Sequence, residues 1–230
     1  MIIEREIPLN VQQITRELTN SVDPDALKEL TDFVDYYQLC HAAVKEVCTK
    51  LENLDADYAT HFAHNPIHHM ETRMKDPDSL IKKLQQKGLP VSNESMKNNL
   101  YDIGGIRIMT NYPGDIYTVA DNLLAQDDIT LVRRRDYVQQ PKPSGYRSLH
   151  LVVKVPVFQS TGARIAPVEV QIRTIGMDMW ASLEHKLRYK THVDDAKLAE
   201  YADRLVAYTD ELMTIENGMQ DIYTDLNQEE

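Results

Sequence analysis

The chain has 230 residues, of which 42% are hydrophobic and 27% charged, and its formal net charge is −11. This composition is ordinary for a globular protein with one core. The sequence shows no signal peptide and no apolar run of the ~20 residues that span a bilayer, so we expect a cytoplasmic protein with no membrane partner. Residues 73–150 nevertheless hold 12 Lys or Arg against 9 Asp or Glu, and such a basic middle favours a small phosphorylated ligand over a nucleic-acid track.

The first predicted element is a helical N-terminal extension over residues 1–63. Asp23 is a typical N-cap, and Pro24 follows it at the first helical position. Apolar residues then recur at steps of three and four, which predicts one or two amphipathic helices that reach roughly to Ala63. Asn65-Pro66 ends this pattern, because the residue before a proline disfavours the helical conformation.

Predicted strands and helices mix in the segment 64–190. A short helix follows Asp76-Pro77, with Leu80, Ile81 and Leu84 as its buried stripe, and a later helix is expected to bury Trp180 together with Leu183. Residues 191–230 are predicted to form a C-terminal helix. We therefore expect one domain of the α/β (α+β) class, with a mixed β-sheet flanked by helices, a catalytic core over 64–190 and helical extensions at both ends.

The strand 168–173 carries the strongest chemical signal. Its apolar residues point to one face, whereas Glu169, Gln171 and Arg173 point to the other. A second isolated acid, Asp102, stands just before another strand-like run. Two separated carboxylates near several cations are what Mg²⁺-assisted phosphoryl transfer requires, although surface acids in salt bridges would produce the same spacing more often.

Several cations could neutralise a polyphosphate beside these acids, although solvated surface cations are a common alternative. The loop 141–148 is more informative, because its prolines stiffen it and a glycine gives it turning freedom. In that loop Tyr146 could stack on a purine. Elsewhere in the chain, Ser79 lies near the N-terminus of a predicted helix, a position that favours an anion. The candidate cations are Arg73, Lys75, Lys83, Arg107 and Lys142.

Four histidines cluster within nine positions, at His61, His64, His68 and His69. Their spacing is compatible with a zinc site, but loop histidines often mimic such spacing and no cysteine lies nearby in the sequence. Surface or packing roles are therefore the favoured interpretation.

Taken together, these runs resemble the synthetase domain of the RelA/SpoT family, and most closely its single-domain small alarmone synthetases. The matching runs lie between about 64 and 190, in the order of the family. The run 64–69 leans towards the RelP-like branch over the RelQ-like one. The runs are Thr72-Arg73-Met74-Lys75 with Ser79, Asp102-Ile103-Gly104-Gly105-Ile106-Arg107, Asp136 to His150, Glu169 to Thr174, and Met177 to His185.

The resemblance implies a GTP or GDP pyrophosphokinase that uses Mg²⁺ and assembles as a homotetramer. Asp102 and Glu169 would hold the metal, and Glu169 would help to deprotonate the acceptor 3′-hydroxyl. Alarmone hydrolysis is not expected, because the sequence contains no His-Asp dipeptide. The implied ATP-binding residues are Arg73, Lys75, Ser79, Lys83 and Arg107, and the implied GTP/GDP-binding residues are Arg135, Lys142, Tyr146, His150 and Gln171.

Two other functions remain open from the residues themselves. The first is a module that senses guanine nucleotides without turnover. The second is an ordinary nucleotidyltransferase, which would release pyrophosphate in place of AMP. Gly104, which stands where the family usually has alanine, is expected to be tolerated.

Overall fold

The computed structural model describes residues 23–189 and 201–227. Helix α1 (Pro24–His61) begins as predicted, because the Asp23 side chain accepts a hydrogen bond from the backbone N–H of Ala26 and Pro24 occupies the first turn. It is a single helix that ends at His61, a few residues before Asn65-Pro66. The other helices are α2 (Pro77–Gln86), α3 (Asn93–Asn99), α4 (Pro113–Leu124), α5 (Ile175–Tyr189) and α6 (Ala202–Asn227).

Five strands form one mixed sheet in the spatial order β1-β2-β5-β4-β3. Strands β2 and β5 run parallel, and the other neighbouring pairs run antiparallel. A mixed sheet flanked by helices confirms the predicted fold class. The strands are β1 (Ile67–Met74), β2 (Gly104–Thr110), β3 (Thr130–Asp136), β4 (Leu149–Gln159) and β5 (Gly162–Thr174).

The two faces of the sheet differ sharply in polarity. On one face, side chains such as Ile106, Val170 and Ile172 are buried against helices α1 and α4. Their neighbours in the sequence point to the opposite face, because successive side chains of a strand alternate. This places the polar residues of β2 and β5 on a second surface that α5 partly borders.

Two predictions of burial are wrong. In α2, Leu80 and Leu84 are buried one turn apart, but Ile81 points sideways and is 40% exposed. In α5, Trp180 is buried, whereas Leu183 lies on the outer side of the helix and is 53% exposed. With about 100° of rotation per residue, Ile81 lies about 100° from the buried Leu80, and Leu183 lies about 120° from the buried Met177, so both leave the buried side of their helix.

Helix α1 supplies Leu39, Val44, Val47 and Leu51 to the same core as the sheet. The predicted domain limits stay predictions. Residues 1–22 of the predicted N-terminal extension, and residues 190–200 and 228–230 around the predicted C-terminal helix, lie outside the described ranges. Within those ranges, none of the helices combines the length and the apolar character needed to cross a membrane.

Candidate active site

Strand register gathers the polar residues of the sheet into two adjacent rows. Partners in register on neighbouring strands lie roughly 5 Å apart, so side chains far apart in sequence meet on this face. The first row contains Arg73, Gly105 and Glu169. The second row contains Glu71, Arg107, Gln171, His150 and Arg135.

Asp102 stands at the entrance to β2 and is surrounded by ammonium groups. Lys75, just after β1, places its Nζ 2.5 Å from Asp102 Oδ2, and Lys83 of α2 makes a second, very short ion pair with the same oxygen. Burial opposes ionisation of Asp102, but the hydrogen bonds from these two lysines outweigh it and lower its pKa to about 2. Asp102 is therefore a fixed anion at neutral pH.

Glu169 faces the same space from β5, and its side chain is 14% exposed. Gln171 donates a hydrogen bond of 2.9 Å to Glu169 Oε2, while Arg73 and His150 lie 3.9 and 3.8 Å from its carboxylate oxygens. Burial lowers the pKa of Lys83, and the charges of Asp102 and Glu169 both oppose that effect. Arg73, which lies beside Glu169, and Lys75, which is paired with Asp102, are two positions apart in the chain, so the two carboxylates face the same end of β1.

The loop 141–148 folds into a tight turn beside this site. Gly145 has a φ of +89°, and its N–H donates to the carbonyl of Lys142 at 2.8 Å. The hydroxyl of Tyr146 lies 2.9 Å from His150 Nε2, and Lys142 Nζ lies 4.7 Å from the centres of the Tyr146 and Tyr137 rings. The loop therefore presents an aromatic surface next to a cation.

His150 is neutral in this setting. Burial lowers its pKa to about 3, and the positive charges of Lys142, Arg173 and Arg135 act in the same direction. Burial also raises the pKa of Tyr146, so its hydroxyl stays protonated at neutral pH. A neutral imidazole beside a phenol can donate or accept one hydrogen bond without adding charge.

A cavity of about 540 Å³ lies between the polar face of the sheet and α5. Arg73 and Arg107 are diagonal neighbours on β1 and β2, and such neighbours lie ~7–8 Å apart. Both arginines line this cavity, and a guanidinium group can stack on the face of a planar base. Helix α5 closes the cavity with Ala181, Ser182, Glu184, His185 and Lys186.

Ser79 differs from the other sequence-assigned residues. Its hydroxyl donates to Asp76 Oδ2 at 2.6 Å, and its backbone N–H also bonds to Asp76, so it belongs to the N-terminal cap of α2. It precedes Lys83 by one turn of the helix and shares its side. The remaining assigned residues lie together on the sheet face, in the loop or at Asp102.

Sequence reasoning did not assign three residues that the structure places at the site. Arg173 is 3% exposed, its Nε lies 3.1 Å from Asp178 Oδ1, and its guanidinium lies 6.0 Å from the Tyr146 ring centre. Glu71 and Asp178 hold Arg107 at 3.4 and 3.7 Å. The alternation along β5 placed Arg173 on the polar face together with Glu169 and Gln171 but gave it no role, and no local pattern marks Asp178.

The four histidines do not converge on one point. His64 binds the carboxylate of Asp115 at 2.9 Å, His61 binds Asp57 at 2.9 Å, and His68 lies against His69. Among the residues that the structure describes, no group of three or more His, Cys, Asp or Glu could hold a metal ion. The packing and ion-pair interpretation of these histidines is therefore the better one.

Comparisons with known proteins agree with this geometry. The family described as "Region found in RelA / SpoT proteins" matches residues 72–194. The GTP pyrophosphokinases YwaC and YjbM of Bacillus subtilis are each 40% identical to this chain, over 74% and 64% of it and over 83% and 69% of their own lengths. The RelP-like assignment stays a prediction.

Solved structures of small alarmone synthetases resemble this chain. Small alarmone synthetase 1 of Bacillus subtilis, bound to its product pppGpp, aligns with a TM-score of 0.75 and 32% identity over 87% of this chain and 99% of its own. Small alarmone synthetase 2 from the same organism aligns with a TM-score of 0.72 and 34% identity over 82% and 97%. With a family match over more than half of its residues and such close relatives, the chain belongs to the RelA/SpoT family.

Proposed function

We propose that this protein is a GTP/GDP pyrophosphokinase, a (p)ppGpp synthetase. It transfers the β,γ-diphosphate of ATP to the 3′-hydroxyl of GTP or GDP and releases AMP, as part of the stringent response. The observation that carries this proposal is the pair of contacts at the end of β1, where Arg73 lies 3.9 Å from Glu169 and Lys75 lies 2.5 Å from Asp102, because they bring two carboxylates and several cations to one part of the sheet. The similarity to two GTP pyrophosphokinases supports the same activity.

ATP binds on the β1–β2 side of the sheet in this proposal. Arg73 and Arg107 enclose the adenine ring, because both line the same cavity and a guanidinium group can stack on a planar base. Lys75 and Lys83 hold the phosphates, and Ser79 offers its hydroxyl one turn before Lys83. In the described structure both lysines are paired with Asp102, so they already point at the place where phosphate charge would enter.

The acceptor binds on the β4 side, above the loop 141–148. Tyr146 stacks on guanine, and Lys142 beside its ring neutralises phosphate charge. Neutral His150 and the amide of Gln171 offer hydrogen bonds that add no charge. Arg135 pairs in register with His150 and contributes a cation at the outer side.

Asp102 and Glu169 are the residues that would hold Mg²⁺. Magnesium typically takes one or two carboxylates and leaves its other positions to water and phosphate, and Asp102 is a permanent anion that suits this role. When bound, the ion would neutralise charge on the phosphates of the donor nucleotide.

Glu169 acts as the general base. It takes the proton of the acceptor 3′-hydroxyl while that oxygen attacks the β-phosphorus of ATP. The bond between the β-phosphorus and the oxygen that bridges to the α-phosphate breaks, and AMP leaves with that oxygen. Gln171 holds Glu169 in place through its 2.9 Å hydrogen bond, and Arg73 stabilises the negative charge nearby.

A product assay tests this function directly. Incubation of the protein with ATP, Mg²⁺ and, in parallel, GMP, GDP or GTP should yield AMP and a guanosine with a 3′-diphosphate. Binding of guanine nucleotide without any AMP would favour the sensing module. Release of pyrophosphate in place of AMP would favour the ordinary nucleotidyltransferase.

The assembly and the location follow from the same resemblance. We propose that the protein works as a homotetramer in the cytoplasm and that it requires neither a membrane nor a nucleic acid. Exposed apolar residues on α5 and α6 support assembly through these helices.

A further inference from the structure

We propose that helix α6 is a clamp on the loop 141–148 and that Asp210 and Thr209 are positioning residues for the guanine acceptor. This inference rests on the proposed function, since it assigns to α6 the task of holding Tyr146 where the acceptor base stacks. The sequence predicted only a C-terminal helix in this part of the chain, and nothing in its pattern linked that helix to the site.

The first contact lies at Gly145, directly before Tyr146. The residue is buried and adopts a φ of +89°, which favours glycine. A Cβ at this position would lie 2.8 Å from Thr209 Cγ2 and 3.2 Å from Val206 Cα. The turn therefore rests on the backbone of α6 itself, with no space for a side chain between them.

The second contact lies at Arg147, directly after Tyr146. Its guanidinium donates to Asp210 Oδ1 at 2.8 Å and to the carbonyl of Val138 at 2.7 Å. Arg147 thus joins α6 to the segment that leads into the loop. Because residues 145 and 147 are both held, the backbone of Tyr146 between them is fixed relative to α6.

The third contact involves Trp180, the single tryptophan of the chain. Its Nε1 donates to the carbonyl of Leu205 at 3.0 Å, which ties α5 to α6. Its Cζ2 atom would lie 3.3 Å from a Cβ at Gly145. The indole therefore sits where α5, α6 and the loop meet, and its fluorescence can report on that junction.

Helix α6 is itself anchored farther along. The Glu216 carboxylate accepts a hydrogen bond from the N–H of Gly176 at 3.1 Å, and Gln220 Oε1 accepts one from the N–H of Gly114 at 2.7 Å. These groups lie in the first turns of α5 and α4, where backbone N–H donors lack helical partners and negative charge is favoured. The clamp is thus fixed to the elements that flank the sheet.

The clamp should act on one substrate only. Tyr146 and Lys142 belong to the loop that α6 holds, whereas the residues proposed for ATP lie on β1, α2 and β2. Loosening α6 would therefore raise the KM for GDP and leave the KM for ATP and the kcat nearly unchanged. A general loss of folding would instead change all three parameters.

Steady-state kinetics of Asp210→Asn test this. We expect the KM for GDP to rise about fivefold, which is the scale of one largely exposed charged hydrogen bond, with the KM for ATP within twofold of the wild type. Asp210→Glu keeps the carboxylate and should restore the KM for GDP. Asp221→Asn, the same change at an exposed position of the same helix, should match the wild type.

Gly145→Ala provides a stronger perturbation, because it combines an unfavourable φ with a contact against Thr209 Cγ2. We expect the dissociation constant of GDP, measured by Trp180 fluorescence, to rise about tenfold or more. Binding of a non-hydrolysable ATP analogue should stay within twofold of the wild type.

Equal acceptor affinity for Asp210→Asn, Gly145→Ala and the wild type would overturn the clamp, as would an equal loss for both nucleotides. Failure of the proposed function gives a different result, namely a wild-type protein that binds GDP but forms no AMP. In that case the fluorescence titrations still decide whether α6 positions the guanine-binding loop.

Discussion

The two acids of the site have different environments, and the difference fits different roles. Asp102 is bound directly by two ammonium groups and has a pKa lowered to about 2 by their hydrogen bonds, against the effect of burial. Glu169 has one amide donor at 2.9 Å, while its cationic neighbours lie at 3.8 and 3.9 Å. A carboxylate with fewer close cations is the better proton acceptor, so we propose Glu169 and not Asp102 as the general base.

Substitution of Glu169 by Gln should therefore stop the chemistry but keep binding. The amide preserves the size of the side chain and cannot accept the proton of the acceptor hydroxyl, so kcat should fall by about 10²–10⁴-fold. The dissociation constant of a non-hydrolysable ATP analogue, measured by calorimetry without turnover, should change less than threefold. A variant that keeps more than a tenth of the wild-type kcat would show that another group acts as the base.

His150 should make the stability of the fold depend on pH in the weakly acidic range. Burial lowers its pKa to about 3 in the folded protein, against 6.5 for the exposed side chain. Between these values the unfolded chain binds more protons than the folded one, so the free energy of unfolding falls as the pH falls, by up to about 1.4 kcal/mol per pH unit. The pKa of Asp102 is 3.8 in the unfolded chain and about 2 in the folded protein. Its contribution therefore changes at lower pH than that of His150, and the two pH ranges barely overlap.

Urea unfolding of the wild type and of His150→Gln between pH 4.5 and 7.5 measures this effect. The variant lacks the titrating imidazole, so its stability should decline less steeply towards pH 4.5. Parallel profiles for the two proteins would contradict the neutral, buried state of His150.

At the scale of elements, the alternation along β5 predicted its two faces correctly. Val170 and Ile172 are buried, and Glu169 and Gln171 lie on the polar face. The neighbours of β5 could not be predicted, because the parallel register that pairs Gly105 with Glu169 joins strands more than 50 residues apart. Periodicity encodes which face a residue occupies, whereas register depends on packing between distant segments.

Gly104 and Gly105 should respond differently to the same substitution. A Cβ at Gly104 would lie 2.5 Å from Val44 Cγ2 and 3.3 Å from the carbonyl oxygen of Cys40, because α1 packs directly on β2 there. Gly104→Ala should therefore cost about 1–3 kcal/mol of stability. A Cβ at Gly105 points to the polar face and would meet its nearest atom at 3.4 Å, so Gly105→Ala serves as the matched control with a smaller cost.

A double-mutant cycle with Val44→Ala identifies the cause. If the methyl group of Val44 is the obstacle, Gly104→Ala should cost less in the Val44→Ala background, with a coupling energy of roughly 0.5–3 kcal/mol from urea unfolding. Additive costs would mean that the contact with the α1 backbone at Cys40 dominates.

For the molecule as a whole, most of the polar residues that meet at the site could be predicted from the sequence, but the residues that hold them in position could not. Isolated acids, the glycine-bearing loop and paired cations are local signals, and a family resemblance places them together. Asp178, which pairs with Arg173 and Arg107, and Asp210, which pairs with Arg147, carry no such signal. Their partners come from other elements, so only the folded chain reveals them.

One surface of the molecule remains apolar and exposed. On α5, Met179, Leu183 and Leu187 recur every four residues and are 48%, 53% and 46% exposed, and with α6 they border a cavity of about 410 Å³. Isolated globular chains rarely expose contiguous apolar surfaces of this kind, which mark sites of association. This surface is the best candidate for the contact that builds the proposed homotetramer.

Light scattering coupled to gel filtration tests that assembly. The wild type should have a mass near four times the 26.5 kDa of the chain. Leu183→Glu places a charge in the centre of the α5 stripe, where an association contact would have to desolvate it, so the mass should fall to that of a dimer or a monomer. Ile165→Glu is the matched control, because Ile165 is also exposed, at 66%, but lies on β5 away from α5. A wild-type monomer would contradict the homotetramer. A tetramer that survives Leu183→Glu and dissociates with Ile165→Glu would place the interface elsewhere.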